Sequence, residues 1–268
     1  MPFSITNESD PAVRQLRSAL DAFYADPGEY MAFASPSDHR DCWEFVLQQI
    51  LQTLADKDKC RVLEIGAGRS GFPDFCKHRN VAVHYTAQDV TSANQPYLQC
   101  RADGVFIGDL NGLNGEFDVI FSTFVLEHIT APRSLLDKAW SLLAPGGSLF
   151  IFCPRYDFPL YVPPSVRHHG WPKRLAIAAL IAGHRLRVLS GGRPAFLITT
   201  DPAVFHGTWT PDTDAVHIVS QFDLHAFFRD RGTRRRLPRK AASLLDWFGK
   251  NWLQVNLCVR KPEREEAK

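Results

Sequence analysis

The 268-residue chain has no apolar run near the roughly 18–20 residues that a bilayer-spanning helix needs, which excludes an integral helical membrane protein. It also lacks any CxxC pair. The six cysteines, Cys42, Cys60, Cys76, Cys100, Cys153 and Cys258, are scattered, which supports neither a zinc site nor a disulfide framework. The opening MPFSITNESD has no basic-then-apolar order of a signal peptide, so a cytoplasmic location is expected. Internal repeats and low-complexity tracts are absent as well. With 45% apolar and 22% charged residues, the composition suits one folded domain, or one with a large insertion.

The net charge of +2 conceals an imbalance. Residues 1–154 hold 12 Lys and Arg against 19 Asp and Glu, whereas residues 155–268 hold 19 against 10. A basic second half favours an anionic substrate, an anionic membrane surface or nucleic acid, and it also suits a solvated basic face.

Apolar positions recur at helical spacing in residues 11–24 and 41–55, separated by a turn-rich loop, DPGEYMAFASPSDHR. CRVLEI reads as a first strand, followed by the glycine turn GAGRSG and a helix start. VAVHYTAQDV, GVFIGDL and FDVIFSTF read as strands two to four, residues 132–143 as a helix stopped by APGG, and SLFIFCP as a fifth strand. Strands alternating with helices imply a mostly parallel sheet covered on both faces. Beyond Pro154 prolines, histidines and arginines cluster around one short apolar helix, RLAIAALIAG. The pattern of sheet and helix resumes with QFDLHAFFRDRG, AASLLDWFGK and WLQVNLCVRK. The expected organisation is therefore an N-terminal helical cover (1–58), a Rossmann-like core (59–154), a substrate-binding insertion or lid (155–220) and a C-terminal completion of the core (221–268).

Three acids stand where a nucleoside-type ligand would need them. Gly66, Gly68 and Gly71, with Ala67 between, allow a tight turn and close approach of a ligand to the backbone. Glu64, two residues earlier, suits a cationic amino group and would gain nothing from a pyrophosphate. Asp89, at the end of the second strand, can accept both hydroxyls of a ribose. Asp109 and Leu110 pair an acid with an apolar group, as an adenine requires. Each acid alone reads as a surface carboxylate; their order makes the case.

The stretches VLEIGAGRSGF, YTAQDV, GDLNGL, FDVIFSTFVLEHI and LLAPGGSLFIFCP resemble, in family order, the class I S-adenosylmethionine-dependent methyltransferases acting on small molecules. The resemblance spans roughly residues 60–154. It implies an α/β Rossmann-like fold with a seven-stranded sheet whose last strand is antiparallel. It also implies S-adenosyl-L-methionine as cofactor, held by Glu64, the glycine turn, Asp89, Asp109, Leu110 and Thr123. The chain departs from the family's commonest GxGxG loop at Arg69-Ser70-Gly71. It also lacks the Asn/Asp-Pro-Pro-aromatic motif of amino-methylating enzymes, so no nucleic-acid substrate is expected. Glu127-His128 resembles part of a metal site in ubiquinone-pathway O-methyltransferases, but Phe124 stands where that site has a Glu, so no metal is assigned.

Methyl transfer to a hydroxyl requires a positioned acceptor and removal of its proton, for which a neutral histidine is suited. His128 and His217 are the candidate bases. His168, His169, His206, Asp214 and His217 have no helical HxxxH or comparable metal-ligand spacing. The insertion offers Arg167, His169, Trp171, Trp209 and Asp214 for a small or carbohydrate-like, anionic acceptor: tryptophans stack on sugar rings and arginines pair with anions. PSVRHH and DPAVFH…DAVH resemble bacterial surface-glycan methyltransferases. RLAIAALIAGHRLR suits either a lid helix, the first expectation, or a peripheral membrane contact. RDRGTRRRLPRK, with seven cations in twelve residues, reads as a solvated face. A nicotinamide-dependent oxidoreductase and a catalytically silent methyltransferase fold that binds a partner remain the alternatives.

Overall fold

The computed structural model describes residues 5–25, 37–158, 161, 163–207 and 209–263. The loop read over residues 26–40 lies, up to residue 36, outside the described residues.

Seven strands form the central sheet: β2 (Arg61–Ile65), β3 (His84–Asp89), β4 (Gly104–Ile107), β5 (Phe117–Thr123), β6 (Leu143–Pro154), β8 (Thr233–Arg236) and β9 (Gln254–Arg260). Their order is β4-β3-β2-β5-β6-β9-β8, and β9 runs opposite to the other six. This is the Rossmann-like class I methyltransferase arrangement, with its last strand reversed. Chain order turns back between β2 and β5, which opens a crevice at their carboxyl ends, where open α/β sheets bind ligands.

The five core strands fall where alternation with helices puts them. The central strand β5, FDVIFST, is buried at every position because both faces of the sheet are covered there. Helix α2 (Arg40–Asp56) covers one face through Trp43, Val46, Leu47 and Ile50, spaced i, i+3, i+4, i+7. Trp43 packs on Phe72 and Phe75, at ring distances of 5.9 and 5.7 Å. Truncating this indole to alanine is expected to cost about 3–5 kcal/mol. Helix α5 (Pro132–Leu142) covers the other face through Leu136, Ala139 and Leu142. The helix ends at Leu142, just before APGG, and β6 begins at Leu143, with the irregularity there showing as a register shift and Gly146 at φ +73°.

Three strands were not visible in the sequence pattern. The basic run contributes β8, an exposed edge strand paired with β9. Near the N-terminus, β1 (Ile5–Asn7) pairs antiparallel with β7 (Leu197–Thr199), a strand inside the insertion. The following helix, α1 (Pro11–Ala25), buries Val13, Leu16 and Leu20 against Ile198 and Val216. The N-terminus and the insertion therefore form one cap. The apolar helix of the insertion, α6 (Trp171–Leu189), is 19 residues long and packs Ile177 and Ile181 against Tyr156, Val166 and Ile218. Helices α7 (Gln221–Phe227) and α8 (Leu244–Trp252) complete the C-terminal part.

Candidate active site

A cavity of about 590 Å³ opens at the carboxyl ends of β2, β3 and β5. Its floor is the glycine turn. Gly66 has φ +67°, and a Cβ there would stand 2.5 Å from a Val125 methyl. Gly68 has φ +55° with open space where its Cβ would be, so the backbone itself forms the wall. Gly71 serves another purpose. A Cβ there would meet the Ser37 carbonyl at 2.9 Å, and Gly71 is not part of the lining. It lets the segment before α2 close over the turn, so its expected cofactor contact is corrected.

Asp89 is buried beside the turn. Its Oδ2 accepts the Gly68 N–H (2.6 Å) and its Oδ1 the Thr91 N–H (2.9 Å), and the Asn94 side chain and the Val90 N–H also donate to this carboxyl. Burial outweighs these bonds and raises its pKa. Glu64, also buried, accepts the Tyr85 hydroxyl at 2.6 Å, and burial pushes its pKa up to about 8. Asp109 lines the cavity but is tied to Arg17 of α1. Ala67, Leu110 and Thr123 also line it, and the Thr123 hydroxyl is buried without a hydrogen-bond partner among the described residues. Val90 contributes an apolar side chain that is 56% exposed, and Gln88 bridges Gly66 N–H and the Gly108 carbonyl. Sequence reasoning passed over Val90 and Gln88, although they flank Asp89 directly.

The far end is a cluster around His128. Asp214 Oδ2 stands 3.3 Å from His128 Nδ1 and accepts the Tyr24 hydroxyl at 2.8 Å. Glu127 Oε1 lies 3.9 Å from His128 Nε2, and both Glu127 oxygens are buried without a hydrogen-bond partner among the described residues. Burial alone would lower the His128 pKa, but the Asp214 charge and hydrogen bond, then Glu127, push it up to about 10. Burial in turn pushes Glu127 up to about 8, against the opposing His128 charge. His128 is thus an imidazolium at neutrality. An imidazolium here departs from the neutral histidine base expected at this position. Glu127, His128 and Asp212 offer ligand atoms within 4.8 Å of one another, and so do His168, Asp201 and His206. In the first group the imidazolium already places a cation among the carboxylates. Two cavity residues have strained backbones, Phe124 (φ +56°) and Asp212 (φ +65°), which fix the acceptor end.

Other expected residues lie elsewhere. His217 is 1% exposed and outside the lining; its Nδ1–H donates to the Leu126 carbonyl at 3.0 Å, and burial lowers its pKa to about 4. With the Val216 and His217 N–H groups both donating to the Glu127 carbonyl at 2.8 Å, it clamps the returning insertion to the turn after β5. His217 therefore positions Asp214 and His128 and is no base. Arg167, His169 and Trp171 do not line the cavity, nor does any residue of α6. Of the insertion, Trp209, Pro211, Asp212 and Asp214 do. The N-terminal segment expected as a cover also lines the cavity, through Arg17, Leu20, Asp21 and Tyr24 of α1, residues that no motif singles out.

A methyltransferase-domain family model matches residues 38–232. The chain belongs to that family. An uncharacterized protein of Synechococcus sp. is 30% identical over 163 residues, which cover 56% of this chain and 39% of the relative. The chain thus spans about two fifths of that relative's length. Among solved structures, the plantazolicin methyltransferase BpumL in complex with SAH is 12% identical, covering 95% of this chain and 92% of that one, with a TM-score of 0.49. Magnesium protoporphyrin IX methyltransferase (ChlM) from Synechocystis PCC 6803 with bound SAH is 11% identical, covering 91% and 99%, with a TM-score of 0.49. No helix among the described residues is long and apolar enough to cross a membrane.

Proposed function

We propose that this methyltransferase-domain chain transfers the methyl group of S-adenosylmethionine to an oxygen of a small, neutral, carbohydrate-like acceptor. The observation that carries the reading is that the glycine turn with Asp89 and the His128–Asp214 pair open into one cavity. The residues present fit the cofactor. Asp89 lines the cavity beside the glycine turn as an acceptor within reach of ribose hydroxyls, Val90 and Leu110 offer apolar surface to a purine, and Glu64 waits as a mostly neutral acid that an ammonium would draw into ionisation. The volume falls within the range of roughly 300–1,000 Å³ usual for such ligands.

The acceptor end argues against an anion. Asp212, Asp214 and buried Glu127 surround His128, whereas Arg17 is tied to Asp109 and Arg69 stands on the glycine turn. A polyol can donate to those carboxylates without repulsion. When bound, the cofactor supplies an electrophilic methyl group, so the protein must align the acceptor oxygen and take its proton. Protonated His128 donates a hydrogen bond to the acceptor, Asp214 holds His128 in place, and Asp212 accepts the leaving proton.

Calorimetry is expected to show micromolar binding of S-adenosylmethionine and its demethylated product, and radiolabelled methyl transfer to appear on neutral polyols with or without a chelator. Tight binding of a nicotinamide nucleotide with neither of these ligands bound would overturn the assignment. Transfer abolished by chelator would replace the imidazolium with a metal ion.

A further inference from the structure

Five large apolar side chains, Leu244, Leu245, Trp247, Phe248 and Trp252, are solvent-exposed within the nine residues of α8. Leu244 and Leu245 are 82% and 81% exposed, the most open large apolar side chains among the described residues. Such a concentration differs from the scattered exposed leucines of an ordinary surface. Beside it runs β8, with Arg234, Arg235 and Arg236 in succession, all exposed and none paired with a carboxylate among the described residues. The two features are contiguous: the Arg236 guanidinium lies over the Trp252 ring at 5.6 Å.

We propose that α8 and β8 form a peripheral docking surface for an anionic lipid bilayer. The chemistry is complementary on both counts. Leucines and indoles insert at the headgroup boundary, where tryptophan's apolar ring and polar N–H are both satisfied. Arg234 and Arg236, which share the strand face that carries Arg236 over Trp252, face the lipid phosphates. A nine-residue helix of about 14 Å lies in the interface and does not cross it. A second copy of the chain fits less well. A two-fold contact across this face would set one arginine strand against the other, with like charges opposed. The surface involves neither α6 nor the cavity, so it stands independently of the methyl-transfer reading and of the membrane contact expected at residues 174–187.

The test is co-sedimentation of the full chain with vesicles of phosphatidylcholine alone or with about one-third phosphatidylglycerol. Partition onto the anionic vesicles is expected, with a blue-shifted tryptophan emission and release by high salt. Leu244→Ser/Leu245→Ser and Arg234→Glu/Arg236→Glu should each weaken partition roughly tenfold or more while leaving the thermal melt unchanged, since these side chains are exposed. Equal partition onto both vesicle types, partition onto neither, or retention of partition by both variants would overturn the proposal. So would lipid-free dimerisation, seen by analytical ultracentrifugation, that the leucine variant abolishes.

Discussion

Two halves of one cavity are assembled in opposite ways. Gly66, Gly68, Asp89 and Asp109 come from three successive strand ends, within 44 positions, and are held by short-range bonds such as Gly68 N–H to Asp89. Tyr24 and Asp214 are 190 positions apart in the chain, and they meet because α1 packs on β7 and because His217 ties the insertion to residues 126–127. The first half depends on local backbone conformation. The second depends on the whole cap being folded. Replacements in the acceptor half should therefore act on turnover, and replacements in the turn half on cofactor affinity.

The largest effect is expected in the acceptor half. Asp212→Asn removes the proposed proton acceptor, and His128→Ala removes the group that orients the acceptor oxygen. Each should lower turnover by about 10² to 10⁴, with affinity for the demethylated cofactor nearly unchanged. The pH profile separates the two groups as bases. If His128 acts as a hydrogen-bond donor, turnover shows no climb towards alkaline pH. If a deprotonated His128 were required, turnover would climb towards about pH 10, where its imidazolium titrates. A climbing profile would return the base role to His128.

In the turn half, Asp89→Ala should weaken cofactor binding by about 1–3 kcal/mol, roughly ten- to 150-fold, by calorimetry. Part of that loss is indirect, because the Gly68 and Thr91 N–H groups also lose their acceptor. Acceptor KM should move little. An equal loss of turnover at saturating cofactor would mean that the two halves are not separable in this way.

This division also explains what was legible in the sequence. The strands, the glycine turn and Asp89 were readable because a parallel sheet writes itself as apolar runs ending in glycine or acid. The β8 strand was not, since Thr-Arg-Arg-Arg on an exposed edge has no apolar alternation. The acceptor end was misread for a related reason. Histidine and tryptophan in the insertion carry no mark of direction: Trp171 and Arg167 face away from the cavity while Trp209 and Asp214 face it. Gly71 shows the limit of motif reading, because its missing side chain serves Ser37 and not a ligand. The state of His128 depends on Asp214, 86 positions away, and no local pattern announces it.

Glu127 offers a smaller, pH-dependent probe of the junction between the halves. Burial raises its folded pKa to about 8 from an ordinary 4.5, so the folded state binds its proton more tightly than the unfolded state does. Its contribution to stability is fully present below pH 4.5 and is lost as pH rises through about 8. Glu127→Gln, of nearly equal shape and always neutral, should match wild type near pH 4.5 and become more stable by about 1–3 kcal/mol near pH 8. Thermal melts across that range test it. A constant difference at every pH would mean that the carboxyl is not strained by burial.

The smallest effect is expected where the two halves touch at the surface. Arg17 of α1 pairs with Asp109 after β4, a bond joining the cap to the turn half. It invites the reading of a latch, but both side chains are nearly half exposed, at 49% and 42%. An exposed pair of this kind contributes about 0.2–1 kcal/mol and is screened by salt. The hydrophobic seating of α1 is larger. Burying an aliphatic side chain contributes about 1.5–3 kcal/mol, and Val13, Leu16 and Leu20 are all buried in the cap. Arg17→Ala should therefore shift stability by less than about 1 kcal/mol at low salt and by nothing measurable at high salt, whereas Leu20→Ala should cost about 2–5 kcal/mol. Denaturant melts at two ionic strengths measure both. A loss above about 2 kcal/mol for Arg17→Ala that persists at high salt would show that the cap is held shut by this bond, and the division between a locally built half and a packed half would have to be redrawn at residue 17.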